Sequence, residues 1–129
     1  MNGDCLLDTN IIIGLFAADP AIVQNLRQAP RVFIPSIVIG ELYYGALRST
    51  RAQDNLARIE QLAARNIVLD CDVETARHYG YLKDRLRRQG CPLPENDLWI
   101  AALARQYQLT LITRDAHFSH IPDVQQLSW

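Results

Sequence analysis

The sequence predicts an α/β fold in which a mainly parallel sheet lies between layers of helices. Two observations support this prediction: short apolar runs alternate with helical segments along the chain, and each run is almost continuously apolar. Strands that are buried on both faces have this pattern, because helices cover both sides of a parallel sheet. We therefore expect an α/β/α sandwich, with residues 1–129 forming a single domain.

The first half of the chain predicts three strands and four helices. Thr9 and Asn10 can cap the first helix. Asp19 followed by Pro20 is a typical start for the second helix, and Ser36 can cap the third. The predicted elements in order are strand 5–8, helix 11–16, helix 20–28, strand 31–34, helix 36–48, helix 51–65 and strand 67–69.

The second half predicts two further helices and two strands. Helical periodicity over residues 72–89 ends before Gly90, a residue type that favours the position just beyond a helix. The proline-containing loop 91–94 cannot be helix interior. The elements that follow are a helix over 97–108 that Asn96 or a neighbour starts, a strand over 109–113, and an edge strand around 124–127.

Composition narrows the class of protein. Hydrophobic residues make up 49% and charged residues 21%, which is ordinary globular usage and excludes a disordered or fibrous chain. The apolar runs are too short to span a bilayer, and no basic segment followed by an apolar one opens the chain. The 3 cysteines lack C-x-x-C spacing, so neither a disulfide framework nor a thiolate zinc site is indicated. We expect a cytoplasmic protein without membrane contact.

Two acidic residues fall at the carboxyl ends of predicted strands. Asp8 closes the first strand, and Asp115 lies two residues beyond Thr113, which ends the strand at 109–113. In open α/β sheets the binding crevice lies beyond the carboxyl ends of the strands. Both carboxylates are therefore expected in one crevice.

Two further acids interrupt apolar helical faces. Asp97 stands in the first turn of its helix, and apolar residues follow it at spacings of three, four and seven positions. Glu41 lies on the inner side of its helix with Val38 and Leu42, and Gly45, one turn further on, is expected to leave room for close approach. Each of these two carboxylates therefore belongs to an otherwise apolar surface.

Anions on core-facing surfaces need a cationic partner, because desolvating an isolated carboxylate costs on the order of several kcal/mol. No basic residue lies within a turn of Asp8, Glu41 or Asp97 on the same predicted face, and only Arg114 adjoins Asp115. A divalent metal is the better partner, and oxygen ligands favour Mg²⁺ or Mn²⁺ over zinc.

Two histidines, His117 and His120, are spaced by three residues and could be interpreted as a metal pair. No cysteine or carboxylate spacing typical of a zinc site accompanies them. We therefore expect partly buried structural histidines.

Each acid also has an ordinary structural interpretation. Asp8 and Asp97 could each be a helix N-terminal charge that interacts with the macrodipole. Glu41 could pair with Arg48 two turns further on, and Asp115 could make a turn after its strand. The functional interpretation is preferred because all four positions are compatible with one crevice, and because a cap does not require a glutamate on an inner helical face.

The four acids lie in four short segments. They are residues 6–10 (LLDTN), 35–36 with 40–45 (PS and GELYYG), 96–102 (NDLWIAA), and 111–115 with 117–118 (LITRD and HF). Any one segment would be weak evidence, but four in order along one short chain are a specific signal. In these segments the sequence resembles the PIN-domain ribonucleases, and specifically the VapC-type toxins of bacterial toxin–antitoxin pairs.

The resemblance implies a PIN fold, endonucleolytic cleavage of RNA by an acidic quartet that binds Mg²⁺ or Mn²⁺, homodimerisation, and neutralisation by a cognate antitoxin in a larger assembly. Glu95 departs from the family pattern and is expected to add charge at the rim of the site or to face solvent. Carried over by position, the catalytic and metal-binding acids are Asp8, Glu41, Asp97 and Asp115, and the supporting polar residues are Thr9, Asn10, Ser36 and Thr113.

The resulting hypothesis is hydrolysis of RNA by a metal-activated water, which leaves 5′-phosphate and 3′-hydroxyl ends. Asp8 and Asp97 would hold the first ion, while Glu41 and Asp115 would act through water or help to bind a second one. The alternative is a catalytically weak PIN module that binds RNA or protein. An aspartyl-phosphate enzyme is disfavoured, because no second acid adjoins Asp8 and the only lysine, Lys83, lies on the wrong kind of segment.

The four negative side chains repel RNA, and the formal net charge of the whole chain is -1. Any RNA binding therefore depends on local positive charge. A solvated helix face is the more ordinary role for each basic residue taken singly. The candidates for RNA contact are Arg77, Lys83, Arg85, Arg87 and Arg88 on one predicted helix, together with Arg48, Arg51 and Arg114.

Overall fold

Five parallel strands form one sheet in a computed structural model that describes residues 4–129. The strands are β1 (Cys5–Leu7), β2 (Val32–Pro35), β3 (Ile67–Leu69), β4 (Thr110–Ile112) and β5 (Gln126–Leu127). Their order across the sheet is β3-β2-β1-β4-β5, and every pairing is parallel. The predicted α/β class is confirmed, and β5 is the edge strand that the sequence indicates.

Within the part of the chain that the structure describes, six α-helices connect and cover the strands. They are α1 (Thr9–Phe16), α2 (Pro20–Gln28), α3 (Ser36–Leu47), α4 (Ala52–Arg65), α5 (Val73–Arg88) and α6 (Glu95–Tyr107). Parallel neighbours cannot be joined by a tight turn, so helices occupy the crossover connections. Within residues 4–129, no helix has both the length and the apolar character needed to cross a membrane.

The central strand β1 is buried along its whole length, so both of its faces are covered. Leu6 at its centre is fully buried, and so is Ile100 of α6. Burying such a side chain contributes roughly 1.5–3 kcal/mol relative to leaving it exposed. Most of α6 after its first turn is inaccessible, including the unbroken run 100–104. The helix that carries Asp97 is therefore held firmly against the sheet.

The register of the central strands brings two chain segments together at the carboxyl edge of the sheet. Leu7 of β1 is aligned with Ile112 of β4. The next residue, Asp8, donates its backbone N–H to the carbonyl oxygen of Ile112 at 3.0 Å. The residues that follow β1 and β4 are therefore neighbours in space although they lie far apart in the sequence.

Two predicted helix caps are wrong. Asp8, rather than Thr9 or Asn10, caps α1, and its carboxylate accepts from the backbone N–H of Thr9. Ser36 is the first residue of α3, with Pro35 in the cap position and no side-chain cap bond. Pro35 also ends β2 instead of lying beyond it, since proline adopts extended backbone and the end of a strand tolerates a missing N–H.

Other boundaries agree more closely with the sequence. Asp19 caps α2 and Pro20 is its first residue. Gly90 follows the cap of α5 and has a φ of 72°, a left-handed conformation that glycine adopts at little cost. Helix α6 begins at Glu95, before the predicted start, because Pro94 supplies the fixed φ of a helix entry.

Candidate active site

The carboxylate of Asp8 is buried at the junction of β1 and α1, with 5% of the residue exposed. Its Oδ1 accepts the backbone N–H of Thr9 at 2.8 Å, and its Oδ2 accepts the hydroxyl of Thr113 at 2.7 Å. Burial nevertheless raises the pKa of Asp8, and the charges of Glu41 and Asp115 raise it further. The site therefore disfavours a negative charge at Asp8 unless a cation is added.

A small polar network links the ends of β1 and β4. The side-chain amide of Asn10 lies 3.3 Å from Asp8 Oδ2 and 3.4 Å from Thr113 Oγ1. Its carbonyl oxygen accepts the backbone N–H of Arg114 at 3.1 Å, and Thr113 Oγ1 accepts the backbone N–H of Asp115 at 3.0 Å. The network holds the Asp8 carboxylate in one orientation.

Glu41 reaches the same region from α3. Its Oε1 accepts the hydroxyl of Thr9 at 2.6 Å, and its Oε2 accepts the side-chain amide of Asn96 at 3.5 Å. The possible pairing with Arg48 does not form, since the Arg48 guanidinium lies over the ring of Tyr44 instead. Glu41 is thus oriented by α1 and α6 through neutral donors.

The expectation for Gly45 is wrong. A Cβ added to Gly45 would meet no atom within 4 Å among the described residues, and the residue is exposed. Glu41 itself is half-buried, and Val38 and Leu42 beside it are buried as predicted. The inner face of α3 therefore packs through its large apolar side chains, without a close backbone approach at Gly45.

Asp97 shows most directly that the four acids converge. Burial raises its pKa to about 6, and the charges of Asp8, Asp115 and Glu41 contribute in that order, whereas His117 acts in the opposite direction. Electrostatic effects of this kind require nearby charges. The four acids that the sequence singles out therefore lie within electrostatic reach of one another.

Asp115 begins a short 3-10 helix (Ala116–His120) and accepts the backbone N–H of His117 at 2.9 Å. The turn interpretation of this residue is thus correct, and it coexists with membership of the acid cluster. The neighbouring Arg114 turns away from the cluster and pairs with Asp19 at 2.9 Å. Across the described chain, no lysine or arginine forms an ion pair with any of the four acids.

Carboxylate oxygens that converge without a basic partner are the donor set that a hard divalent cation requires. Asp8 is buried and its pKa is raised, so its negative charge is unfavourable in the cluster without a cation. Ligand atoms of Asp97, Asp115 and His117 lie within 4.8 Å of one another and fit a divalent ion, while Asp8 and Glu41 lie within electrostatic reach of this group. Zinc sites built on cysteine have no counterpart here, because no cysteine belongs to the cluster of possible ligands that the described residues form.

Not every predicted residue joins this cluster. Ser36 lines a neighbouring cleft with Asp70 and Trp99, and among residues 4–129 it makes no hydrogen bond to the four acids. Glu95 faces solvent, where it pairs with Lys83 at 3.1 Å and accepts the hydroxyl of Tyr79. These two donors lower the pKa of Glu95.

Two further residues lie at the site: Asn96, which was not predicted there, and His117, for which the sequence favoured a structural role over a metal pair with His120. Asn96 contacts Glu41, and its place beside Asp97 in a matched segment was the available signal. His117 lies in the cluster, with its Nδ1 3.0 Å from Asp115 Oδ1. Both His117 and His120 are exposed, so the expected partly buried structural role is wrong. The short helix turns these side chains outward while it buries Phe118 between them.

Comparisons with known proteins agree with this fold. The family model described as PIN domain matches residues 5–124. The chain is similar to ribonuclease VapC2 of Haemophilus influenzae, at 35% identity over 127 residues, which is 96% of each chain. It is also similar to the tRNA(fMet)-specific endonuclease VapC of Shigella flexneri, at 37% identity and again 96% of each chain.

A solved structure extends the comparison. The chain superposes on the DNA-bound VapBC structure from Salmonella typhimurium with a TM-score of 0.90 and 32% sequence identity, over 98% of each chain. Fold and sequence therefore define the same class, that of PIN-domain proteins. Within that class, the chain belongs to the VapC ribonuclease family.

The raised pKa of Asp97 predicts a pH-dependent stability of the metal-free protein. Below pH 3.8 the carboxyl is protonated in both the folded and the unfolded state. As the pH rises from 3.8 to about 6, the unfolded state releases the proton first, so stability falls. Asp97→Asn should therefore raise the free energy of unfolding at pH 7.5 by about 1–2 kcal/mol, a value reduced for partial solvation.

Urea denaturation in EDTA at pH 4 and pH 7.5 measures this effect. The gain should be small at pH 4, close to the lower end of the window. Asp84→Asn is the matched control, because it removes an exposed acid that pairs only with Arg88 on the same helix, and it should give no gain. An equal gain from Asp97→Asn at both pH values would contradict the electrostatic explanation.

Proposed function

We propose that this chain is a Mg²⁺- or Mn²⁺-dependent endoribonuclease that acts as the toxin of a toxin–antitoxin pair. The observation that carries the proposal is the convergence of Asp8, Glu41, Asp97 and Asp115 without a basic partner. These four acids would hold the ion. The names of the similar proteins, a ribonuclease and a tRNA-specific endonuclease, indicate RNA as the class of substrate.

A divalent ion held there would lower the pKa of a coordinated water and stabilise charge on the scissile phosphate. The chain's own residues keep the carboxylates ready for such an ion. Thr113 and Asn10 orient Asp8, while Thr9 and Asn96 orient Glu41. Fixed ligand orientation reduces the reorganisation that binding requires.

Protons compete with the ion at this site. Because the pKa of Asp97 is about 6, a fraction of this carboxyl is protonated in mildly acidic solution. Ligands must be deprotonated to bind a metal, so affinity for the ion falls as the pH falls through this range. The activity of the enzyme should fall with it.

Cleavage of RNA by the purified chain tests the proposal. Wild type should cut RNA in Mg²⁺ or Mn²⁺ and not in EDTA, and Asp8→Asn should lower the rate at least about 100-fold. Glu60→Gln, which changes an exposed acid of α4 outside the cluster, is the control and should keep its rate. Transfer RNA is the first substrate to test, since the name of one relative specifies tRNA(fMet).

The ends of the products distinguish mechanisms. Hydrolysis by water leaves 5′-phosphate and 3′-hydroxyl ends, whereas attack by the 2′-hydroxyl of the RNA would leave 2′,3′-cyclic phosphates. Binding of RNA without turnover in either metal would favour the alternative, a PIN module that binds RNA or protein. Full activity of Asp8→Asn would refute the assignment of the acids.

Ion pairs on α5 decide which of its basic side chains are available to contact RNA. Arg77 pairs with Glu74 at 3.1 Å, and Lys83 pairs with Glu95. Arg87, by contrast, forms no ion pair within the described part of the chain and lines a surface cleft with Lys83 and Leu93. We therefore propose that RNA contacts Arg87. Its neighbour Arg88 pairs with Asp84 at 2.8 Å on the exposed face of the same helix, and it is reversed together with Arg87 so that it cannot replace the lost charge.

Reversing both charges, Arg87→Glu with Arg88→Glu, should weaken RNA binding and reduce the slope of log affinity against log salt by roughly 1–2. Binding is measured in the Asp8→Asn background so that RNA is not consumed. Arg27→Glu with Arg65→Glu is the control, because these residues precede β2 and β3 and lie toward the opposite edge of the sheet from the acids. An unchanged slope for the first pair excludes this contact.

The proposed protein partner is a cognate antitoxin, because solved structures similar to this chain include a toxin–antitoxin complex and a member of a family of toxin–antitoxin systems. A cleft beside the acids joins Thr9 and Glu41 to the apolar side chains of Ile13, Phe16 and Ile59. Ile13 is 57% exposed there, and an apolar surface of this kind is suited to burial by a partner. Occupation of this cleft would place the antitoxin against the active site.

We also propose a cytoplasmic location, where such a partner and RNA are both present.

Ile13→Glu should weaken association with the cognate antitoxin at least about tenfold, measured by calorimetry. Val73→Glu is the matched control, because Val73 is 79% exposed at the start of α5. Equal weakening by both variants would exclude the cleft as the binding site of the antitoxin.

Sedimentation of the chain alone should give about twice its mass of 14.7 kDa if the proposed homodimer forms.

A further inference from the structure

His117 lies at the rim of the acid cluster with its side chain 69% exposed. The short helix that carries it is anchored by Phe118, which is fully buried, and by the bonds of Asp115 to its first turn. The backbone at His117 is therefore held in place, while its imidazole ring is accessible. A structural role in the core is excluded, because the core side chain of this segment is Phe118.

The donor atoms around His117 are close enough to share one ion. One ligand atom each of Asp97, Asp115 and His117 lies within 4.8 Å of the others. The separation of 3.0 Å between His117 Nδ1 and Asp115 Oδ1 is close to the edge of an octahedron with bonds of about 2.1 Å. Two adjacent positions of one coordination sphere could therefore be filled by these two residues with little movement.

We propose that His117 is a ligand of the divalent ion held by Asp97 and Asp115, so that the site contains one nitrogen donor and selects Mn²⁺ over Mg²⁺. This inference rests on the proposed metal dependence of the acid cluster. Mg²⁺ takes oxygen ligands almost exclusively, whereas transition metals also accept imidazole. An added imidazole therefore strengthens Mn²⁺ binding more than Mg²⁺ binding.

The test is spectroscopic and does not depend on activity. Mn²⁺ is bound to the purified chain, and pulsed electron paramagnetic resonance measures coupling to a directly coordinated ¹⁴N nucleus. His117→Gln removes the nitrogen donor but keeps a polar side chain at an exposed position. His120→Gln is the matched control, since His120 lies on the same short helix, is exposed and is not part of the ligand cluster.

Wild type and His120→Gln should show ¹⁴N coupling, and His117→Gln should lose it. The dissociation constant of Mn²⁺ should rise about tenfold in His117→Gln, whereas that of Mg²⁺ should change by less than about twofold. Circular dichroism verifies that all three proteins are folded.

The remaining outcomes overturn the proposal in distinguishable ways. Mn²⁺ binding without ¹⁴N coupling in wild type would mean that His117 only orients Asp115, and the metal dependence of the proposed function would stand. Equal loss of Mn²⁺ and Mg²⁺ affinity in His117→Gln would likewise refute the proposal that the imidazole nitrogen of His117 favours Mn²⁺ over Mg²⁺. Failure of wild type to bind Mn²⁺ at all would overturn both this proposal and the proposed metal dependence.

Discussion

Mutual repulsion among four carboxylates is the constraint on which this structure depends. Asp8 is almost completely buried, and burial is the largest cause of its raised pKa. Hydrogen bonds from Thr113 and Thr9 lower this pKa, and the charges of Glu41 and Asp115 raise it. Such an arrangement is unfavourable by itself, because neither solvent nor a basic side chain neutralises it. Functional sites commonly retain local electrostatic strain that the rest of the fold must offset.

The rest of the fold offsets this strain through burial and neutral hydrogen bonds. The sheet brings β1 and β4 into register, so that Thr113 can donate to Asp8 from the adjacent strand end. Helix α6, deeply buried beyond its first turn, presents Asp97 to the same edge. Hydroxyl and amide donors orient the carboxylates without neutralising them, which leaves their charge available to a cation.

The order of strands and helices could be predicted because its signals are local. Apolar runs, Asp19 before Pro20, and Gly90 after a helix act within a few residues of chain. The caps of α1 and α3 are predicted incorrectly, since a cap depends on the φ and ψ values of one residue and neighbouring polar residues compete for it. Arg114 adjoins Asp115 in the sequence but pairs with Asp19, which lies 95 residues away, so no local signal could predict its partner.

The sequence by itself determined the class of fold, and it singled out four acids that the structure brings within electrostatic reach of one another, because both follow from residue type and spacing. Tertiary structure decided which atoms meet. Thr113 and Asp8 are separated by 105 residues, and only the parallel register of β1 and β4 brings them within hydrogen-bonding distance. The exposure of His117 likewise depends on the rotation of a five-residue helix about the buried Phe118, a choice made by packing and not by local propensity.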